Sequence, residues 1–499
     1  MVRTPSFVVA LVACLVVGAA VYTQGPKSTP ARLLNAKGFV PDEAFVTKPL
    51  PGSEQAYADI SGTHLKALIG EVTAISEKDR ARGEKMWGRI AGFPGEKDTN
   101  DWVEAKFKAL GLENVHRQAF NLPPQWMPKS WDVSFTGGGK TIVAKSLLPA
   151  PGSPSTPAGG LDLEAVWVGT GTAADFVGRN VRGKAVFIHD IPTPGTINHS
   201  VTWTGSIRRA QEQGAAAIFV VYGISDNWAI WQGLGGGDAG ADAASRAPGF
   251  YMGYQDGSAV RDLIGTGQPV RAKISLAVEN ANGLTATNVY GTLPGTSDEN
   301  VLILAHQDGY FDAALDNASG LAGLIGLAEH FSKVPRAQRK RSITFVGTAG
   351  HHAGSPGTRW MHDNRDTYFA KTALAINLEH LSYDDTANWG ATIRKSNAIS
   401  PRRWWVFGSP KLVDVVTSSF LTFGVPLLVD MDNNASGDMG NMARDLPSMQ
   451  TIDSPEVKHA DADTADWIPA PGIEALVRSY AKIVDEVNKL TKGDLELKN

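Results

Sequence analysis

From Asn288 onward, short aliphatic segments alternate with longer amphipathic ones. The aliphatic segments at 301–305, 343–348 and 374–378 have the length and composition of buried strands. Strands that alternate with helices indicate an α/β sheet with helices packed on its faces. We therefore predict a mixed central sheet flanked by helices. The last helix, about 472–490, is predicted to pack on that sheet through one apolar face.

Length, composition and charge exclude several classes of protein. The 499 residues are 42% hydrophobic and 20% charged, which excludes a mainly disordered chain. The formal net charge is −4 and no basic patch dominates, so we expect no nucleic-acid partner. A single cysteine cannot form an internal disulfide bond.

The first 24 residues have the pattern of a secretory signal peptide. Arg3 precedes an apolar run that ends near the small residues Gly18 to Ala20. Residues 25–56, rich in Pro, Thr and Gly, are predicted to be a tether. We expect a secreted or periplasmic protein. The alternatives are that residues 1–24 stay as an uncleaved membrane anchor or that Cys14 carries a lipid.

The rest of the chain shows two kinds of sequence pattern. Residues 60–110 have helical periodicity, whereas 161–279 contain short strands separated by glycines. We predict one discontinuous domain formed by 57–135 and 284–490. A β-rich domain at 136–283 is inserted into it, and 491–499 form a tail.

Histidines and carboxylates recur at the ends of predicted strands and in nearby loops. Seven of the eleven histidines lie between His306 and His459. Ligands bind at strand ends in open α/β sheets. Each segment alone also has a structural explanation, such as a helix cap at Asp316, but five in order point to a metal site. The segments contain His306 with Asp308, Asp316 with Asn317, His351 with His352, Glu379 with His380, and His459 with Asp463.

These motifs resemble the co-catalytic zinc peptidases, a family that includes secreted bacterial leucyl aminopeptidases, glutamate carboxypeptidases and glutaminyl cyclases. The resemblance implies a zinc exopeptidase fold, and it implies that the β-rich insertion, with Gly183-Lys184 and Gly214-Ala215-Ala216, is a protease-associated domain. It covers the chain from about residue 57 to 490.

The resemblance also implies two zinc ions bridged by Asp316. One ion is expected to bind His306 and His352, and the other Glu379 and His459. Asp308 is expected to orient His306. His380 is expected to point away from the metals, because alternate residues of a strand face opposite sides.

The chain departs from the family at His351-His352, where Glu-Glu is usual. His352 can serve as a metal ligand, but the loss of a negative charge is expected to weaken zinc binding at its position. His351 occupies the position of the general base. Three readings stay open: His351 is a weaker base, another group is the base, or peptidase activity is lost.

We therefore expect a metal-dependent exopeptidase, most consistent with an aminopeptidase, that acts on peptides or proteins. The alternatives are a catalytically silent peptide-binding protein and an amidohydrolase or glutaminyl-cyclase-like enzyme. We expect no membrane contact beyond an N-terminal anchor, and the sequence leaves the oligomeric state open.

Overall fold

The computed structural model describes residues 48–83, 85–192, 200–234, 245–389 and 392–497. The predicted signal peptide, Cys14 and residues 25–47 of the predicted tether lie outside these ranges. In the part of the chain that is described, none of the helices combines the length and the apolar character that a membrane span requires.

The strands are numbered along the chain. They are β1 Gly88–Arg89, β2 Glu113–Asn121, β3 Gln125–Gly137, β4 Lys140–Ile142, β5 Leu148–Pro149, β6 Leu161–Trp167, β7 Ala185–Asp190, β8 Ala217–Tyr222, β9 Gly249–Met252, β10 Arg271–Ala281, β11 Thr285–Leu293, β12 Asn300–His306, β13 Gly309–Tyr310, β14 Ser342–Thr348, β15 Thr372–Leu378, β16 Asp384–Trp389, β17 Thr392–Ile399, β18 Arg403–Phe407 and β19 Ser448–Ile452.

The helices are numbered in the same way. They are α1 Gly62–Arg80, α2 Pro94–Ala109, α3 Ser200–Trp203, α4 Ser206–Glu212, α5 Tyr254–Gly265, α6 Gly320–Lys333, α7 Pro356–Asp363, α8 Arg365–Tyr368, α9 Pro410–Phe423, α10 Ala470–Asn488 and α11 Lys492–Leu495.

A seven-stranded mixed sheet forms the centre, in the order β18-β19-β15-β12-β14-β11-β2. Strand β12 runs parallel to both β14 and β15, and β15 runs parallel to β19. The outer pairs β11/β14, β2/β11 and β18/β19 are antiparallel. The predicted fold class, a mixed sheet with flanking helices, is confirmed.

Strand β12 is buried on both faces, which explains its continuous apolar sequence. Val301 and Ile303 belong to a core shared with α1, α6 and α10, whereas Leu302 and Leu304 pack with residues of α7 and β18. Helix α10 packs against α1 and α6 through residues that include Leu476 and Val477. The predicted terminal helix is therefore confirmed, as are the three predicted strands 301–305, 343–348 and 374–378.

A second sheet lies between β2 and β11 in the sequence. Its order is β4-β3-β10-β6-β7-β8-β9-β5, and β6 to β9 run parallel. This second sheet begins at Gln125, because Gln125 is the first residue of β3 and already pairs with β10. The predicted domain boundaries and the identity of this unit as a protease-associated domain stay predictions.

Glu96, near the N-terminus of α2, is a buried carboxyl group close to the carboxyl edge of the central sheet. It is 1% exposed, and its Oε2 accepts a hydrogen bond from the Gly92 amide at 2.6 Å. Its Oε1 has no hydrogen-bond partner. Burial, followed by repulsion from Asp308, raises the pKa of Glu96 to about 8.

This raised pKa predicts a pH dependence of stability. Between about pH 4.5 and 8 the folded protein holds a proton on Glu96 that the unfolded chain has released. The free energy of unfolding should therefore fall with rising pH, by at most about 1.4 kcal/mol per pH unit from this group. Glu96→Gln, which stays neutral, should remove that part of the slope. Denaturant unfolding of both proteins at several pH values measures it, and parallel profiles would contradict the assignment.

Candidate metal centre

Histidines and carboxylates meet at one edge of the central sheet. Because β12, β14 and β15 run parallel, their carboxyl ends lie side by side. His306 is the last residue of β12, and Glu379 directly follows β15. His351 and His352 lie in a short helical turn just after β14. The strand topology thus brings together groups that are far apart in the sequence.

The turn before α6 holds Asp316, and its neighbour Asn317 fixes that turn against β15. The Asn317 side-chain oxygen accepts hydrogen bonds from the amides of Gly320 and His380, both at 3.1 Å. Its amide nitrogen donates to the Leu378 carbonyl at 3.0 Å. Asp316 is therefore held at the end of β15 by side-chain-to-backbone contacts.

Arg89 holds the backbone of the same loop. The sequence did not predict this role. Its guanidinium is fully buried and donates to the carbonyl oxygens of Gln307 at 3.1 Å, Asp312 at 2.8 Å and Ala313 at 3.0 Å. Burial lowers the pKa of Arg89 to about 10 despite nearby carboxylates, so it stays charged at neutral pH. A lone arginine outside the strand-end motifs carries no sequence signal for this role.

The Asp316 carboxylate lies among four imidazole nitrogens. Its Oδ1 is 3.1 Å from His306 Nε2 and 3.2 Å from His380 Nε2. Its Oδ2 is 3.2 Å from His459 Nε2 and 3.5 Å from His352 Nε2. All five side chains are buried. Asp316 is thus placed to bridge two positions.

The opposite nitrogen of each of these rings already has an acceptor. The acceptors of Nδ1 are the Asp308 carbonyl for His306 (3.0 Å), the Asp308 carboxylate for His352 (3.1 Å), the Asp453 carbonyl for His380 and the Gln232 side-chain oxygen for His459 (3.1 Å). A neutral imidazole that donates through Nδ1 carries a lone pair on Nε2.

Lone pairs therefore face lone pairs at the centre of the site. The Nε2 atoms of His306 and His380, both Asp316 oxygens and Glu379 Oε1 have no hydrogen-bond partner. Such an arrangement of buried acceptors is costly unless a cation lies between them. Imidazole and carboxylate donors suit zinc.

The spacing of the donors fits the size of a zinc ion. Tetrahedral zinc with bonds of about 2.0–2.1 Å requires donors about 3.3 Å apart. The Nε2 atoms of His352 and His459 are 3.2 Å apart, and both are within 3.5 Å of Asp316 Oδ2. On the other side, Glu379 Oε1 is 3.9 Å from His306 Nε2. Asp316, His352 and His459 lie close enough to hold one metal ion, and so do His306, Asp316 and His380.

The electrostatics of the cluster also favour a positive charge. Burial alone would lower the pKa of His352, but Asp316 and Asp308 raise it to about 10. Burial would raise the pKa of Asp316, but His380 and His352 hold it well below its usual range. The cluster therefore keeps Asp316 ionised and attracts cations or protons.

The structure groups the ligands differently from the expected pairs. His352 lies with His459 at Asp316 Oδ2, whereas His306 lies with Glu379 at Asp316 Oδ1. The expected pairing of His306 with His352 stays a prediction, and the distances to Asp316 favour the other grouping. Strands β12 and β15 are neighbours, so His306 and Glu379 meet at their ends.

His380 also differs from the prediction. The alternation argument required its side chain to point away from Asp316, yet its Nε2 faces Oδ1. Strand β15 ends at Leu378, and His380 has a left-handed φ of 53°. The alternation of side chains stops with the strand, so the ring turns into the site.

Asp308 contacts the His351-His352 turn more than it contacts His306. Its carboxylate accepts hydrogen bonds from the amides of His351 at 3.0 Å and His352 at 2.8 Å. Its Oδ1 is 3.6 Å from His306 Nδ1, which bonds instead to the Asp308 carbonyl. Asp308 thus orients both strand-end segments.

His351 forms a pair with Asp438, a residue that the sequence left without a role. His351 Nδ1 is 3.2 Å from Asp438 Oδ1, and its Nε2 is 3.6 Å from Glu379 Oε1. Thr348 and Thr358 donate hydroxyl hydrogen bonds to Asp438. Burial would raise the pKa of Asp438, but His351 lowers it, so this buried carboxylate stays charged.

A segment between the second sheet's strands β8 and β9 contacts the loop that carries His459. The Trp231 amide donates to the His459 carbonyl at 2.9 Å, and Gln232 accepts from the His459 ring. The Ala229 amide donates to Asp461 Oδ1 at 2.9 Å. Gln232 was not predicted, because nothing in the sequence links it to His459.

A pocket of about 270 Å³, including space open to solvent, lies beside His352. It is lined by Trp126 and Met127 of β3, by Trp231 from the segment between β8 and β9, and by Tyr310 of β13. The Tyr310 ring lies 4.6 Å from the His352 ring and 4.4 Å from the Trp231 ring. The Asp316, His352 and His459 set therefore has an apolar pocket next to it.

Residues 288–484 match the sequence model of Peptidase family M28. The chain contains a Peptidase family M28 domain. Its matched region includes the whole histidine and carboxylate cluster.

Solved structures have the same fold as this chain. A Peptidase M28 precursor from Shewanella amazonensis is 20% identical, with 89% of this chain and 97% of that chain covered at a TM-score of 0.68. A zinc aminopeptidase from Bacillus subtilis is 19% identical, with 90% and 99% covered at a TM-score of 0.62.

A curated relative, a probable glutamate carboxypeptidase of Zea mays, is 23% identical over 350 residues. The match covers 58% of this chain and 48% of the relative, so it spans about half of the relative's length.

The contact between Gln232 and His459 predicts an effect on zinc binding. Gln232→Ala removes an acceptor that orients the His459 ring and should weaken zinc binding about 10- to 100-fold. Competition with a chromophoric chelator measures the dissociation constant.

Gln232→Glu retains the acceptor and should bind zinc nearly as the natural protein does. Gln268→Ala, an exposed glutamine of the same inserted region, is the matched control. Unaltered zinc affinity in the Gln232→Ala protein would contradict the positioning role.

Proposed function

We propose that this protein is an exported zinc aminopeptidase whose centre binds two zinc ions. The observation that carries the proposal is the convergence of unpartnered buried imidazole and carboxylate atoms around Asp316. The M28 domain supports peptide hydrolysis, and the zinc aminopeptidase with the same fold supports a free N-terminus as the target. Export is proposed from residues 1–24 alone.

One zinc ion would be held by His306, Asp316 Oδ1 and Glu379, and the other by Asp316 Oδ2, His352 and His459. Zinc in such a centre supplies Lewis-acid polarisation of a peptide carbonyl and activation of water. Asn377 donates to Glu379 Oε2 at 2.7 Å, which leaves Oε1 to face the site.

Backbone packing holds Glu379 in place. Gly437 has a φ of 59°, and a Cβ atom there would lie 2.2 Å from Glu379 Oε2. A larger residue at 437 would displace the carboxylate.

His351 is the proposed general base. Its Nδ1 bonds to Asp438, so Nε2 is the nitrogen that faces Glu379. From there it can accept a proton from water and later deliver it to the leaving amine.

Asp438 offsets the electrostatic cost of protonating a histidine base beside metal ions. Two dications disfavour the imidazolium, whereas a buried carboxylate 3.2 Å from Nδ1 stabilises it. The same contact fixes the tautomer. Asp438 is thus the proposed positioning residue for His351.

The test compares variants of the His351–Asp438 pair. His351→Ala should lower kcat/KM on an unblocked leucyl peptide amide by about 10²- to 10⁴-fold, the range of a lost general base. Zinc content should stay the same. Asp438→Asn should lower kcat more than it changes KM, and His351→Glu should retain more activity than His351→Ala.

The matched control is His362→Ala, because His362 forms a similar pair with Asp445 at 2.7 Å outside the site. Equal activity of the natural and His351→Ala proteins would remove His351 from the mechanism. Cleavage of N-acetylated substrates would contradict the aminopeptidase assignment. Zinc binding without any hydrolysis would favour the silent peptide-binding protein.

A further inference from the structure

We propose that His380 is a fourth protein ligand of the ion held by His306, Asp316 and Glu379. The two metal positions are then unequal: this one is closed by protein donors, and the other keeps an open coordination site. The inference rests on the proposed zinc centre but does not depend on peptidase activity.

The geometry of His380 is that of a ligand. Its Nε2 is 3.2 Å from Asp316 Oδ1 and 4.0 Å from Glu379 Oε1. His306 Nε2 lies at nearly the same distances from these oxygens, 3.1 and 3.9 Å. The two rings therefore occupy equivalent places around one point. The ligand atoms of His306, Asp316 and His380 lie close enough together to bind one metal ion there.

The His380 ring is fixed in this orientation from behind. Its Nδ1 donates to the Asp453 carbonyl, and its amide donates to Asn317. The buried Arg402 donates to the His380 carbonyl and to the Asp453 carboxylate. With Nδ1 bound, Nε2 presents a lone pair and has no hydrogen-bond partner.

The other position has three protein donors grouped around it in the described residues: Asp316 Oδ2, His352 and His459. His352 lines the apolar pocket beside Tyr310 and Trp231. Closed four-ligand zinc sites are typically structural, whereas sites with three protein ligands leave room for water or substrate. The open position is thus the one that meets substrate.

Charge strengthens this difference. The closed position has Glu379 in addition to its share of Asp316, whereas the open position has only its share of Asp316. Opposite charge raises the affinity for a dication. We expect one zinc ion to be held tightly and the second to exchange.

The test measures zinc stoichiometry and affinity in the full-length protein. After dialysis against a mild chelator, the natural protein should retain about one zinc ion per chain, with the second binding at least about 10-fold more weakly. His380→Ala and His380→Gln should weaken the retained ion about 10- to 100-fold, and His362→Ala should leave it unchanged. Replacement by Co²⁺ should give a visible spectrum that changes in the His380 variants.

Three results would overturn the inference. One is that both His380 variants retain the tight ion with an unchanged Co²⁺ spectrum. Another is that the natural protein holds both ions equally tightly. The third is that the His380 variants lose as much stability relative to the natural protein without zinc as they do with zinc. That result would make His380 a packing residue. A natural protein that binds zinc unequally but cleaves no peptide would defeat the proposed function and leave this inference standing.

Discussion

The Asp316 carboxylate and the imidazole lone pairs that face it are the constraint around which this structure is arranged. Each Asp316 oxygen lies within 3.5 Å of two Nε2 atoms. The Nδ1 atom of each of these rings already has its own acceptor. A cation relieves that repulsion. The surrounding contacts, from Arg89 beneath the loop to Asn317 at the turn, hold the donors close before any cation arrives.

His351 and His352 place imidazoles where the family resemblance predicts two carboxylates. His352 Nε2 lies 3.5 Å from Asp316 Oδ2, and His351 Nε2 lies 3.6 Å from Glu379 Oε1. Two buried carboxylates stand behind these rings, because Asp308 contacts His352 and Asp438 contacts His351. Each carboxylate orients the ring that it contacts.

The second sheet, through the segment between its strands β8 and β9, contacts the candidate metal centre as well. Gln232 orients His459, and Trp231 packs against Tyr310, which in turn packs against His352. The second sheet and the segment between its strands thus contact one candidate metal position and line part of the pocket.

The sequence by itself determined the fold class and most of the donors. Buried strands such as Val301–Ala305 are recognisable because both of their faces are apolar, and His306 and Glu379 stand out because they follow such strands. The sequence could not determine which donors share an ion, because that depends on which strands are neighbours. It could not place His380, whose orientation depends on a left-handed backbone after β15. Nor could it find Arg89 or Gln232. Their contacts with the site cross long stretches of chain, and only tertiary packing brings such groups together.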